Sequence, residues 1–316
     1  MFLSCLTADV SVLETADSVD SVVTVDYNGR GAVSTLYNAA RKIQAGPLCA
    51  MAAERLARAR TLMFVTGFRT LRYGGVYETD GLVSTCLLAR RLVEYGVDAV
   101  VVVDEGFENV ARAGVGTGGV GVRGAPVSRE LCASFIKSLL KEFGPDTAVF
   151  VERPGANRLN QYHNMYGENI SALHAPLDAY IPLLKERGVS VVAFGDGGNE
   201  AGMGVIREAV VGGAGFGTVC RCGCGGGIVA ATSADVLVVS SVSDLGVYGA
   251  VALYEPSILR EVSEEAVEVV KALLRFGVVD VLKGPGYAGV DGVGLESIKS
   301  IISILLAVTR SGVRRQ

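Results

Sequence analysis

The stretch of this 316-residue chain best suited to chemistry is 189–203, VSVVAFGDGGNEAGM. Small and apolar residues run into a turn that carries Asp196, Gly197, Gly198, Asn199 and Glu200. Such a turn lets backbone and side chains approach a ligand closely, because glycine tolerates positive φ and has no Cβ to collide. Paired carboxylates in that setting either exchange protons with a substrate or hold a hard cation. Comparable residues end other apolar runs: Thr66, then Asp104 and Glu105, then Glu152 and Arg153, then Ser243 and Asp244. Glu78 and Asp80 lie one loop beyond Thr66.

The runs that must position these groups read as buried strands at 61–66, 99–103, 147–151, 189–195 and 235–240. Between them lie helical patterns at 34–45 and 47–59, split by Gly46-Pro47, and from Gly81 to Tyr95. In the last of these Leu82, Val83, Cys86, Ala89, Leu92 and Val93 recur at three- and four-residue spacing, which makes one apolar face. Further helices are expected at 128–142, 176–187, 246–254, 256–275 and 294–310. Strands alternating with helices predict an α/β fold, a mostly parallel sheet with helices on both faces. A loop-rich acidic site is then expected at the carboxyl ends of the strands. The whole chain, 1–316, reads as one such domain, with 1–33 an entry segment and 34–60 a helical preface. The entry segment ends in Asn28-Gly29-Arg30-Gly31, where backbone N–H groups and the guanidinium could hold an anion or simply form an exposed turn. Residues 111–124, with six glycines, read as a long loop or mobile cover, and 157–171 as a loop over the same edge.

Composition narrows the function classes. Half the residues are hydrophobic and the mean hydropathy is +0.40, so an extensive core is expected and disorder is not. Net charge is −4 and no Lys/Arg run exceeds two residues, which argues against nucleic acid as a partner. The longest apolar stretch, 228–253, is broken by Asp235 and Asp244, so no membrane span is expected. The start, MFLSCLTADVSVLE, lacks a basic n-region and carries an early acid, unlike a targeting peptide. Seven unevenly spread cysteines fit a reducing cytoplasm better than a disulfide framework. No Gly-Lys dipeptide occurs, so a Walker-type nucleotide loop is not expected. A core this apolar is compatible with a homodimer.

The carboxylates at the strand ends cannot all stay ionised at one edge without help, because like charges at about 4–6 Å raise each other's pKa. Either some point elsewhere or a divalent cation such as Mg²⁺, Mn²⁺ or Ca²⁺ sits among them. Cys220, Cys222 and Cys224 would share one face if they lay on a hairpin strand. Their spacing is not that of thiolate zinc sites, and buried thiols beside the sheet edge are the expectation, with a proton-transfer cysteine the alternative. His163 and His174 are the only histidines, which excludes a His-rich zinc site.

Several motifs together resemble the D-glutamate cyclase family, in particular the domain that forms the C-terminal half of the longer cyclases. They are Thr66-Gly67-Phe68, Glu78-Thr79-Asp80-Gly81, Glu152-Arg153-Pro154-Gly155, Tyr162 with Asn164-Met165 and Gly167, and Gly195-Asp196-Gly197-Gly198-Asn199-Glu200. The resemblance runs in order from about Val25 to Asp291. It implies a lyase that closes D-glutamate, or a related small amino acid, to 5-oxo-D-proline with loss of water. The chain departs from the family at Ser243-Asp244-Leu245-Gly246, where Ser-Asn-Trp-Gly is expected, and at His163, where a second tyrosine is expected. Those departures point to an altered substrate surface.

With that reaction in view, Asp80, Glu78, Asp196 and Glu200 are candidate ligands of a divalent cation, and Asp196, Glu200 and Glu152 candidate acids and bases. Arg153, Asn199, Thr66, Asn164 and Ser243 are candidate substrate contacts, Arg153 through its fork of donors. Asp80 could equally cap its helix, and Arg153 could be an internal salt-bridge partner. A metal-dependent hydrolase of a small anionic substrate, or a non-catalytic metal-binding protein of the same fold, are the alternatives.

Overall fold

The computed structural model describes residues 10–313. Six parallel strands form its central sheet: β1 (Thr61–Thr66), β4 (Asp98–Asp104), β5 (Gly121–Ala125), β6 (Thr147–Val151), β7 (Ser190–Gly195) and β8 (Val236–Val239). Two short antiparallel ribbons complete the strands, β2 (Arg69–Thr70) with β3 (Val76–Tyr77), and β9 (Gly289–Val290) with β10 (Val293–Gly294). The sheet order is β5-β4-β1-β6-β7-β8. Counted along the chain this is 3-2-1-4-5-6, the doubly wound order in which the direction of winding reverses between the first and fourth strands. A crevice opens at the carboxyl ends of those two strands, here β1 and β6, because their connections leave in opposite directions. The strands are valine-rich and buried nearly end to end, as expected of a parallel sheet covered on both faces.

The helices are α1 (Val10–Val23), α2 (Val33–Gln44), α3 (Leu48–Arg58), α4 (Leu82–Glu94), α5 (Glu108–Val115), α6 (Arg129–Glu142), α7 (Ile181–Glu186), α8 (Arg207–Gly213), α9 (Ser243–Tyr254), α10 (Pro256–Arg275) and α11 (Leu295–Val313). Helix α9 is the internal post of the molecule. Apart from Tyr254 every residue in it is buried, and it packs against the sheet and against α1, α3, α4, α10 and α11. A helix apolar on all sides can be stable only when surrounded. Gly246 permits the contact with the sheet, since a Cβ there would come within 2.7 Å of Ser240 Oγ. No helix among the described residues is long and apolar enough to cross a membrane.

Three sequence expectations change. Residues 111–124 are not one long loop: α5 ends at Val115 and β5 forms the edge of the sheet at 121–125. Two of its five residues are glycine, which masks the strand propensity that revealed its neighbours. The entry segment contains the regular helix α1. Residues 220–224 form turns and not a strand, so the cysteines are not arrayed on one arm of a hairpin.

Candidate active site

At the β1/β6 crevice lies a cavity of about 360 Å³. Its wall includes Glu78, Glu152, Asp196, Glu200 and Asp291, with Arg30 and Arg72 as its cationic members. Each of these five carboxylates is buried, and so is Asp80. Oxygens of Asp80, Asp196 and Asp291 lie within 4.8 Å of one another, as do oxygens of Glu152, Asp196 and Glu200. Asp196 therefore belongs to both groups and is the centre of the cluster.

Each acid is delivered by a different element. Asp196 follows β7, and Glu200 folds back over the same turn to accept the N–H groups of Gly197 at 3.0 Å and Gly198 at 2.7 Å. Glu152 follows β6 with φ 41°. That left-handed backbone costs a non-glycine residue about 1–3 kcal/mol and is found where surroundings enforce it. Gly81 is one enforcer, since a Cβ there would sit 2.4 Å from the Glu152 Cβ. The Ser243 hydroxyl is another, donating to Glu152 Oε2 at 2.5 Å. Asp291, at the tip of the β9–β10 ribbon, also has a left-handed backbone, φ 53°. The loop leading into that ribbon is fixed by Asp280, which accepts N–H groups from Leu282, Lys283 and Gly292.

Asp80 and Asp244 exchange helix caps. Asp80 accepts the N–H groups of Ser243 at 3.0 Å and Asp244 at 2.9 Å, at the start of α9. Asp244 in turn accepts those of Gly81 at 2.9 Å and Ser84 at 3.2 Å, at the start of α4. Both helix N-termini thus face the acidic cluster with the positive ends of their dipoles. Of the two roles open to Asp80 in the sequence, cap of its own helix or cation ligand, the first is replaced: it bonds Gly81 N–H locally, at 2.8 Å, but both its oxygens accept from α9.

Arg30 supplies the direct counter-charge. Its guanidinium donates to Asp196 Oδ2 at 2.6 Å and pairs with Asp291. The N–H groups of Arg30 and Gly31 are taken by Asp26, at 3.0 and 2.7 Å, so this turn uses its own carboxylate in place of an external anion. Even so, acids outnumber guanidinium groups. Burial followed by mutual repulsion pushes Glu78, Asp80 and Glu152 well above the ordinary carboxylate range, and burial does the same to Asp291 against the pull of Arg30. Burial and Asp196 raise Glu200 to about 7, and burial raises Asp244 to about 7. At neutral pH the cluster holds protons, and Glu200 is poised to give or take one.

Other sequence candidates fall elsewhere. Arg153 does not line the cavity; it is fully buried and reaches across the end of β1, donating to the Gly67 carbonyl at 3.2 Å, to both oxygens of Asp104 at 3.0 and 2.7 Å and to the Ala175 carbonyl. Burial alone would raise Asp104, but Arg153 and His174 hold it well below the carboxylate range. Thr66 is buried, does not line the cavity, and its hydroxyl has no partner among the described residues. Ser243 acts from behind Glu152 and is not a cavity wall either. Asn199 and Asn164 do line it. Asn199 donates to the His163 carbonyl at 2.9 Å and leaves its Oδ1 unpartnered, while Asn164 holds a turn through Tyr166 and Glu168. None of Ser243, Asp244, Leu245 and Gly246 lines the cavity: Leu245 is core and Asp244 is a cap. The His163 ring is also outside the cavity, among cysteines. Asp291 was missed because its only sequence signal is an Asp-Gly pair with no long apolar run before it.

Two expectations follow. Replacing Arg153 with Met strands the buried Asp104 charge and should cost about 3–5 kcal/mol in urea unfolding, whereas a substrate-binding arginine would show its loss mainly in turnover. In chelator-treated protein, stability should fall as pH rises from about 5 to 8. Carboxyls whose folded pKa is raised bind protons more tightly in the native state, so their contribution is complete below the unfolded pKa and lost as pH rises through about 7. His174, lowered by burial, and Cys220, lowered to about 5 against its burial by hydrogen bonds with Cys224 and Cys222, act in the opposite direction but are two groups against six. A melting temperature that climbs across this range would contradict the proton-holding cluster.

The family model described as D-glutamate cyclase-like, C-terminal, matches residues 19–306. The human protein D-glutamate cyclase, mitochondrial, is 29% identical over 264 residues, which cover 78% of this chain and 40% of that protein. The chain thus spans well under half the length of that curated relative. Matched over most of its length, the chain belongs to the D-glutamate cyclase-like family, through that family's C-terminal domain.

Proposed function

We propose that this protein closes D-glutamate, or a closely related amino acid, to 5-oxo-D-proline with loss of water, assisted by a divalent cation among the carboxylates. The observation that carries the proposal is a ligand-sized cavity walled by five buried carboxylates, among which burial and neighbouring acids push Glu152 well above the ordinary range and Glu200 up to about 7. Ring closure forms a bond from the α-nitrogen to the side-chain carboxyl carbon and breaks a carbon–oxygen bond. It therefore needs a base to take the ammonium protons, an electrophilic carboxyl, and an acid to convert the departing oxygen to water.

The chain's residues match these needs. Glu200, near neutrality, takes a proton from the substrate ammonium, which the acidic wall attracts. Glu152, held by Ser243, donates one proton to the departing oxygen; the second proton that the nitrogen loses on ring closure completes the water, and Glu200 passes its proton back to Glu152. Arg72 and Arg30 face the substrate's carboxylates, and the enclosing residues Phe68, Met165 and Leu282 exclude water, strengthening each polar contact. Holding the amine against its own side-chain carboxyl removes rotational freedom that would otherwise oppose closure. Asp80, Asp196 and Asp291 fit a hard cation and leave Glu152 and Glu200 free for proton transfer: the donors are all carboxylate oxygens, and the group converges within 4.8 Å. Bound there, such an ion would polarise the carboxyl under attack.

Incubation with D-glutamate and Mg²⁺, Mn²⁺ or Ca²⁺ should yield 5-oxo-D-proline. Asp196→Asn should lower turnover by about 10²-fold or more without unfolding the chain. Product formation that survives Asp196→Asn unchanged, or no product with any of the ions, would remove the proposal.

A further inference from the structure

A second cluster of metal-ligating side chains lies outside the acidic cavity. His163 and Cys220, Cys222 and Cys224 bring one ligand atom each to within 4.8 Å of one another. His163 Nε2 is 3.1 Å from Cys222 Sγ and 3.8 Å from Cys224 Sγ. Cys220 Sγ is 3.2 Å from each of the other two sulfurs. We propose that these four side chains form a closed, tetrahedral site for a soft divalent ion of the zinc class, which staples the loop lining the cavity to the glycine-rich segment 212–227.

The donor set is the Cys₃His combination of structural zinc sites, with Zn–S about 2.3 Å and Zn–N about 2.0–2.1 Å. A tetrahedron with such bonds separates its sulfurs by about 3.8 Å, so Cys220 Sγ need move only about 0.6 Å farther from each of the other two to admit an ion. Without an ion, three sulfurs would sit closer together than ordinary packing allows, and thiolates would repel one another. The imidazole supports the assignment. His163 is fully buried and aims Nε2 at the sulfurs. Cys224 Sγ also accepts from Gly226 N–H at 3.4 Å and Asn157 Nδ2 at 3.5 Å, the N–H donation that steadies a thiolate.

Local backbone explains how a C-x-C-x-C run converges. On a strand alternate side chains share a face but stand about 6–7 Å apart. Here Gly223, between Cys222 and Cys224, has a left-handed φ of 77° and turns the run back on itself, and Gly225 and Gly227, at 78° and 65°, turn the chain again just after it. The two loops already touch, with Arg221 N–H donating to the Gly167 carbonyl at 2.8 Å. The site's consequence lies next door. His163 accepts Asn199 through its carbonyl, and the residues after it, Asn164 to Tyr166, form cavity wall. An ion on its ring would fix that wall from outside without entering the chemistry.

The test uses the whole chain, purified under reducing conditions, and needs no turnover. Elemental analysis should find about one zinc per chain, released by a mercurial that blocks thiols. Titrating the metal-free, fully reduced protein with Co²⁺ should give a sulfur-to-cobalt charge-transfer band and the strong visible bands of tetrahedral cobalt. Cys220→Ser and Cys224→Ser should each abolish or shift that band, and Glu200→Gln should leave it intact, which separates this site from the carboxylates. Because the unaltered protein already gives the band, a variant that fails to fold does not blunt the test. Absence of the band in reduced protein, its persistence in a Cys220→Ser, Cys224→Ser double variant, or two of these thiols joined as a disulfide in freshly isolated protein would each overturn the proposal.

Discussion

Buried negative charge is the constraint on which the molecule's organisation depends. Glu78, Asp80, Glu152, Asp196, Glu200 and Asp291 are withdrawn from water around one cavity, and unpaired buried carboxylates are expensive. The chain offsets that cost in several ways at once. Arg30 spans Asp196 and Asp291, two helix N-termini point at Asp80 and Asp244, and two glycine N–H groups hold Glu200. Retained protons supply the remainder. Each means of compensation restricts geometry, so the same interactions that make the acids tolerable also fix their positions.

The cap exchange shows how far this reaches. Helix α9 is buried on every side and starts at Ser243, beside α4, which starts just after Gly81. Asp80 and Asp244 tie the two starts together, and that junction places the Ser243 hydroxyl on Glu152. The strained backbone of Glu152 is sustained by Gly81 on one side and Ser243 on the other. Core packing, capping and the candidate acid are one assembly. Next to Glu152 in the chain, Arg153 joins Asp104 and His174 in a buried group that ties the end of β6 across β1 to the end of β4.

Much of this was legible in the residues, for identifiable reasons. Valine-rich runs ending in polar residues located five strands, and the strand-end rule then gathered Asp196, Glu200, Glu152, Glu78 and Asp80 at one edge. What escaped needed information that sequence does not carry. The direction of Arg153 depends on one left-handed residue before it, and nothing local announces that glutamate will adopt such a backbone. Asp291 sits on a two-residue ribbon too short to show a strand period. The convergence of Cys220, Cys222 and Cys224 on His163 depends on a fourth group from a distant loop, which spacing rules applied to the cysteines alone cannot supply.

The central claim is that the acids around Asp196 form one proton-sharing, cation-accepting unit. Calorimetric titration of the chelator-treated protein with Mn²⁺ near neutral pH, repeated in buffers of different ionisation enthalpy, tests it most directly. Saturable binding that releases protons to the buffer, and that is lost in Asp196→Asn, is the predicted result. Binding without proton release, or binding untouched by Asp196→Asn, would contradict the account.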